Sequence, residues 1–185
     1  MNNQYNFDFD TERLTIRQIQ PQDWDDYYQL HVNQVVLTYV CDPLEEDGIK
    51  ERFEGRLPVW EKEASQWLCL IMHEKESGKF VGITGFFPEW EPCQQAEVGF
   101  MLMPEFYGKG YATESLLNVI KFAFEQCDFH KLTAAVTEGN DGAMRVLAKC
   151  HFQLEGTLRD NFKIADVRKD DLIYGLLKTD LSTSS

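Results

Sequence analysis

Glu97-Val98-Gly99-Phe100-Met101-Leu102-Met103-Pro104-Glu105-Phe106-Tyr107-Gly108-Lys109-Gly110-Tyr111-Ala112-Thr113-Glu114 is the stretch on which the architecture turns. Residues 98–103 are almost wholly apolar, which predicts a strand buried on both faces. Pro104 cannot continue a central strand. Gly108 and Gly110 permit backbone conformations that a Cβ forbids. The period then changes. Ala112, Leu116, Val119, Ile120, Ala123 and Cys127 share one helical face, with Leu117 and Phe124 as a second apolar stripe. The order is strand, glycine turn, helix. The first amides of such a helix have no intrahelical acceptor and sit at the positive end of its dipole. With Lys109 beside them they suit a phosphate or diphosphate. A plain structural turn explains the two glycines equally well.

Outside this stretch, 185 residues suffice for one domain with a full core, over 1–185 with the ordered part about 11–178. The hydrophobic share of 43% supports a globule, and no run of about 18 apolar residues predicts a membrane span. The first residues lack the basic and apolar regions of a signal peptide, so the expected address is the cytoplasm. A net charge of -13 argues against nucleic acid or an anionic membrane as partner and permits a basic protein or polyamine. Solubility alone also accounts for it. The five cysteines are scattered without a C-x-x-C pair, so free thiols are expected, with Cys69, Cys127 and Cys150 in the core and no metal site.

Read in order, 11–19 alternates as a first strand, and Pro21 opens a helix through Leu30. Residues 45–63 are helix-like, with Ile49, Phe53, Leu57 and Trp60 in register and Pro58 as a break. Strands are expected at 66–73 and 80–87, joined by a charged turn, with a loop at 88–95. The motif strand and helix follow. Then come a strand at 132–137, a helix bearing Ala143, Val146, Leu147 and Cys150 on one face, and strands at 152–158 and 171–177. Residues 182–185 are a tail expected to be disordered. The fold class is α/β: one mixed sheet with helices on both faces.

Two segments carry a resemblance. Tyr107-Gly108-Lys109-Gly110-Tyr111-Ala112 is similar to the acetyl-CoA-binding motif of the GNAT N-acetyltransferases, Gln/Arg-x-x-Gly-x-Gly/Ala, with Tyr107 at the first position. The flanking residues, and Thr11-Glu12-Arg13-Leu14-Thr15-Ile16-Arg17, most resemble the RimJ/RimL subgroup. Asn140-x-x-Ala143-x-x-Val146-Leu147-x-Lys149-x-x-Phe152-x-x-Glu155-Gly156 resembles the second signature, with His151 where the family has glycine. His at that position must take a left-handed backbone, which His sometimes does.

The resemblance implies a GNAT fold: a mostly antiparallel sheet with one splayed parallel pair, the strand at 98–103 against that at 132–136. It implies acetyl-CoA as cofactor, held by Tyr107, Gly108, Lys109, Gly110, Tyr111, Ala112 and Thr113 at its diphosphate. The pantetheine arm would lie between the splayed strands against backbone near Phe100 and Leu102. A backbone N–H near Leu102 would polarise the thioester carbonyl. Asn140 is either a helix cap, a pantetheine contact, or both. Glu97 is either the general base or an ordinary acid at the sheet rim. The usual general-acid positions hold Leu147 and Ala143, neither of which has a proton to give. Tyr174 could supply a proton instead, but is expected to pack in the core. The subgroup implies an N-terminal α-amine acceptor, such as that of a ribosomal protein, with a homodimer possible by analogy. The alternatives are a small amine such as a polyamine or antibiotic, or a non-catalytic acyl-CoA-binding module.

Overall fold

The chain enters its sheet through β1 (Phe9–Asp10) and β2 (Leu14–Gln18), then crosses one face as α1 (Trp24–Val32), α2 (Gln34–Leu37) and α3 (Glu46–Glu54). β3 (Leu68–Glu74), β4 (Phe80–Glu89) and β5 (Gln95–Leu102) form a meander. α4 (Tyr111–Glu125) leads to β6 (Lys131–Thr137) and α5 (Asp141–Lys149). β7 (Gln153–Ile164) and β8 (Val167–Leu177) close the sheet as a hairpin. The computed structural model describes residues 5, 7–63 and 65–183. The strand order is β1-β2-β3-β4-β5-β6-β8-β7, with β5 and β6 parallel and every other neighbouring pair antiparallel.

Each face of the sheet has its own core. On one, the apolar stripe of α4 (Leu116, Val119, Ile120, Ala123) packs on Phe86, Val98 and Leu102, and Leu147 of α5 joins them. Phe124 is buried there too, whereas Leu117 lies on the outer face, 43% exposed. On the other face, Tyr27, Leu30, Ile49 and Phe53 pack on Cys69 and Ile83. Tyr5 and Phe7 precede Thr11, the expected start of the core. Both are buried, their rings near Trp60 and Phe122.

Three elements differ from the sequence expectation. α3 stops at Glu54, with Gly55 as its C-cap, so Leu57 and Trp60 are not on the helix. Trp60 packs instead in the core on the α4 face, its indole donating to Gln66 O (3.0 Å). Pro88 lies inside β4 opposite Ala96, so the loop begins only after Glu89. The terminal hairpin runs continuously from Gln153 to Leu177, far longer than the two short strands expected. Most of β7 is exposed, so no buried alternation marked it. The 3-10 turn Lys178–Thr183 takes in residues 182–183 of the expected tail, and residues 184–185 lie outside the described residues. His151 has φ 67°, the left-handed conformation its position requires. Cys69, Cys127 and Cys150 are buried and free, as expected.

His31 gives this fold an acid-sensitive joint. Its ring stacks on Tyr27 at 3.9 Å, and Nδ1 lies 2.7 Å from Tyr27 O, which makes Nδ1 the protonated nitrogen of a neutral ring. Burial pushes its pKa down from 6.5 to about 4, against the opposing pull of that hydrogen bond. The unfolded chain therefore binds the extra proton first. Stability is fully present above about pH 6.5 and falls as pH drops towards 4. Urea titrations at pH 7 and pH 5 are expected to differ by about 2 kcal/mol from this residue. His31→Phe, which keeps the stack but does not titrate, should flatten that difference. An unchanged pH slope in the variant would remove His31 as the cause.

Candidate active site

The parallel pair β5–β6 is short. Its register runs Gln95↔Lys131, Ala96↔Leu132 and Glu97↔Thr133, and there it ends. Beyond Glu97 and Thr133 the strands part, and each keeps its outer antiparallel partner, β4 for β5 and β8 for β6. Strand alternation then fixes which backbone groups face the opening. Met103 N–H donates to Val81 O of β4 (2.9 Å), so the amides of Leu102, Phe100 and Val98 point the other way, toward β6. This explains why β5 is only half-buried at Gly99, Phe100 and Met101, rather than closed on both sides as its apolar run predicts. A cleft of about 880 Å³ fills the gap. That volume lies within the range of small-molecule and cofactor sites.

The glycine turn stands at one end of the cleft. Gly108 and Gly110 have φ of 72° and 86°, so both positions require the left-handed region. Gly110 is the N-cap of α4, and Glu114 N–H makes the first helical bond, to Gly110 O (3.0 Å). The amides of Tyr111, Ala112 and Thr113 precede that bond and have no helical acceptor. Tyr107, Gly108, Gly110, Tyr111, Ala112 and Thr113 all line the cleft. Lys109 does not; its Nζ lies over the Phe106 ring, 5.5 Å from the centroid. Two cations absent from the expected set, Arg145 and Lys149 of α5, line the same cleft. Their i, i+4 spacing on a helix was visible in the sequence.

The turn is held from outside by the segment that opens the sheet. Arg13 Nη1 donates to Lys109 O (2.9 Å), and Arg13 Nε to Glu114 Oε2 (2.7 Å). Arg13 N–H and the Thr11 hydroxyl both donate to Glu114 Oε1 (2.9 and 2.5 Å). The Arg13 guanidinium lies 4.2 Å over the Tyr111 ring, and the Tyr111 hydroxyl bonds Glu74. Burial pushes the Glu114 carboxyl up, but the bonds from Thr11 and Arg13 outweigh it and hold the pKa below its ordinary value. The opening Thr-Glu-Arg-Leu thus clamps a turn about a hundred residues away.

Glu97 sits where the strands separate, half-buried and lining the cleft. Burial, and then the like charges of Glu89 and Asp171, raise its pKa. Phe100 and Leu102 line the gap beyond it. Asn140 caps α5, its Oδ1 accepting from Ala143 N–H (3.1 Å), and it also lines the cleft. Leu147 and Ala143 also line the cleft but carry no proton donor. Tyr174 packs in the core, 9% exposed. Among the described residues, no three His, Cys, Asp or Glu side chains group as a metal site.

A parting parallel pair with a glycine turn and free helix-start amides at its mouth is an arrangement suited to a long phosphate-bearing ligand. Residues 13–153 match the acetyltransferase (GNAT) domain, and the chain belongs to that family. It is an acyltransferase, and acetyl-CoA is its cofactor. The chain is 26% identical over 172 residues to the uncharacterized N-acetyltransferase YoaA of Bacillus subtilis, covering 91% of this chain and 96% of that protein. The ribosomal-protein-S5-alanine acetyltransferase of Vibrio fischeri has a similar structure (TM-score 0.81, 20% identity, 95% and 98% of the two chains). So has the spermidine N-acetyltransferase of Vibrio cholerae, solved with CoA and spermine (TM-score 0.80, 20% identity, 92% and 98%). At these identities the two structures bear on fold alone. No helix among the described residues is long and apolar enough to cross a membrane.

Proposed function

We propose that this chain acetylates the N-terminal α-amine of a protein, in the manner of the RimJ/RimL subgroup. The observation that supports direct transfer is the end of the β5–β6 pairing at Glu97. The amides of Phe100 and Leu102 face one side of that point, and a raised-pKa carboxylate stands on it. Acetyl-CoA supplies the activated thioester. The turn amides at Tyr111, Ala112 and Thr113 bind its diphosphate, while Arg145 and Lys149 add positive charge. The Leu102 amide faces the acyl carbonyl and stabilises the charge that develops there, an effect of about 3 kcal/mol in such sites. In its ionised form Glu97 takes the amine proton directly or through water. The departing thiol, near pKa ~8.5, needs no dedicated acid, which fits Leu147 and Ala143 at the usual positions.

The α-amine is favoured by its own chemistry. At pKa ~7.7–8.0, against ~10.4 for lysine, far more of it is nucleophilic at neutral pH. The charge of -13 draws a basic protein's tail toward the enzyme. The test is thiol release measured on N-terminal peptides of ribosomal proteins and on a panel of polyamines and aminoglycosides. Turnover of the peptides is the expected result. Turnover confined to the small amines would replace this reading. A rise in melting temperature with acetyl-CoA, without thiol release on any amine, would mark a non-catalytic binding module.

A further inference from the structure

The sheet face that carries α1–α3 contains a second charged feature, apart from the glycine turn, Arg145 and Lys149. Cys69, Gly85 and Gly99 stand opposite one another across β3, β4 and β5, so their side chains share one face. Gly85 and Gly99 raise no side chain there, which leaves a trough walled over Gly99 by the Trp67 indole, 3.3 Å from where a Cβ would stand. Trp67 in turn lies 5.9 Å from the Phe87 ring. Phe87 pairs with Glu97, one pleat further along the same face. Over the other end of the row stands Arg56, its Nη1 4.0 Å from Cys69 Sγ and its guanidinium 5.4 Å from the Tyr27 ring centroid. Arg56, Trp67, Cys69, Gly99 and Glu97 all line the cleft.

Arg56 has no ion-pair partner among the described residues. It stands against the Cys69 thiol and the Tyr27 ring, neither of which neutralises a guanidinium. It is half-buried, so water compensates it only in part. The charges acting on Glu97 at the opposite end are the acids Glu89 and Asp171. The trough is therefore negative where the amine must react and positive at its far end. Strand geometry, at about 3.4 Å per residue and 4.8 Å between strands, places the two ends on the order of 10 Å apart.

The geometry points to Arg56 as the residue that selects the acceptor, by pairing with a carboxylate the acceptor carries on the order of 10 Å from its reacting amine. The inference rests on the N-terminal reading above and narrows it. On an extended peptide that distance is spanned by the first two or three residues, so the preferred protein terminus carries Asp or Glu at its second or third position. A polyamine would bring a second ammonium toward the guanidinium and is disfavoured.

The experiment compares kcat/KM for Ala-Glu-Ala-Ala, Ala-Gln-Ala-Ala and Ala-Lys-Ala-Ala, and for 6-aminohexanoate against hexylamine, on wild type, Arg56→Gln, Arg56→Lys and Arg56→Glu. Wild type is expected to prefer the Glu peptide over the Gln peptide by about tenfold or more. Arg56→Gln should lose that preference, Arg56→Lys keep part of it, and Arg56→Glu turn it toward the Lys peptide. Acetyl-CoA affinity should stay unchanged in all. Equal rates on the three peptides in wild type, or the same preference in Arg56→Gln, would overturn the role of Arg56 and leave the N-terminal reading standing. Inert peptides, with 6-aminohexanoate preferred over hexylamine only when Arg56 is present, would support Arg56 and overturn the N-terminal reading.

Discussion

Glu97→Gln is expected to lower kcat by about a hundredfold or more at neutral pH while leaving the Kd for acetyl-CoA unchanged. The substitution is nearly isosteric, so the end of the β5–β6 pairing at Glu97↔Thr133 should survive it. What it removes is a carboxylate whose pKa burial and two neighbouring acids have raised. The wild-type pH profile carries the same information. Glu97 works as a base only when ionised, so kcat/KM should fall as pH drops through its pKa, above the ordinary value of 4.5. That limb should vanish in the Gln variant. Steady-state rates across pH, with calorimetric titration of acetyl-CoA, check both statements. Unaltered kinetics in the variant would take Glu97 out of the mechanism and make it a rim acid.

Gly110→Val should weaken acetyl-CoA binding tenfold or more and lower unfolding stability by about 1–3 kcal/mol. Gly110 has φ 86° and caps α4. A β-branched residue resists that conformation, and its Cβ alone would approach Arg13 Nη2 to 3.3 Å. Relief requires the turn to move, which re-aims the amides of Tyr111, Ala112 and Thr113. Gly78→Val separates strain from binding. Gly78 also has a positive φ, 68°, but lies in the β3–β4 turn with nothing within 4 Å of a new Cβ. It should lose stability and keep cofactor affinity. Wild-type affinity in Gly110→Val would exclude the α4 turn as the diphosphate site.

The amino-acid order by itself determined the strand–turn–helix core, because each part leaves a local trace. An apolar run, two glycines and a 3.6-residue stripe are interactions between near neighbours, and they predicted β5, the turn and α4 without any distant contact. The α3 boundary was misread where a local pattern competed with a tertiary one: Trp60 continues the helical register but is buried on the opposite face of the sheet. The long β7–β8 hairpin escaped because its outer strand is exposed and so lacks a buried alternation.

Within the candidate site, the placement of Glu97, the glycine turn and Asn140 on the cleft was legible from two sequence motifs, and that of the cations was not. Lys109, adjacent to the glycines in sequence, turns away to Phe106, while Arg145 and Lys149 arrive from another helix. Only the tertiary structure decided that Arg13 and Glu114, a hundred residues apart, lock the turn. It alone decided that Arg56 stands over the row of Cys69, Gly85 and Gly99 at the far end of the trough from Glu97. Periodicity reports what a residue does for its own element. A cleft is made where elements fail to pair, and that failure is a property of the sheet, written at no single position along the chain.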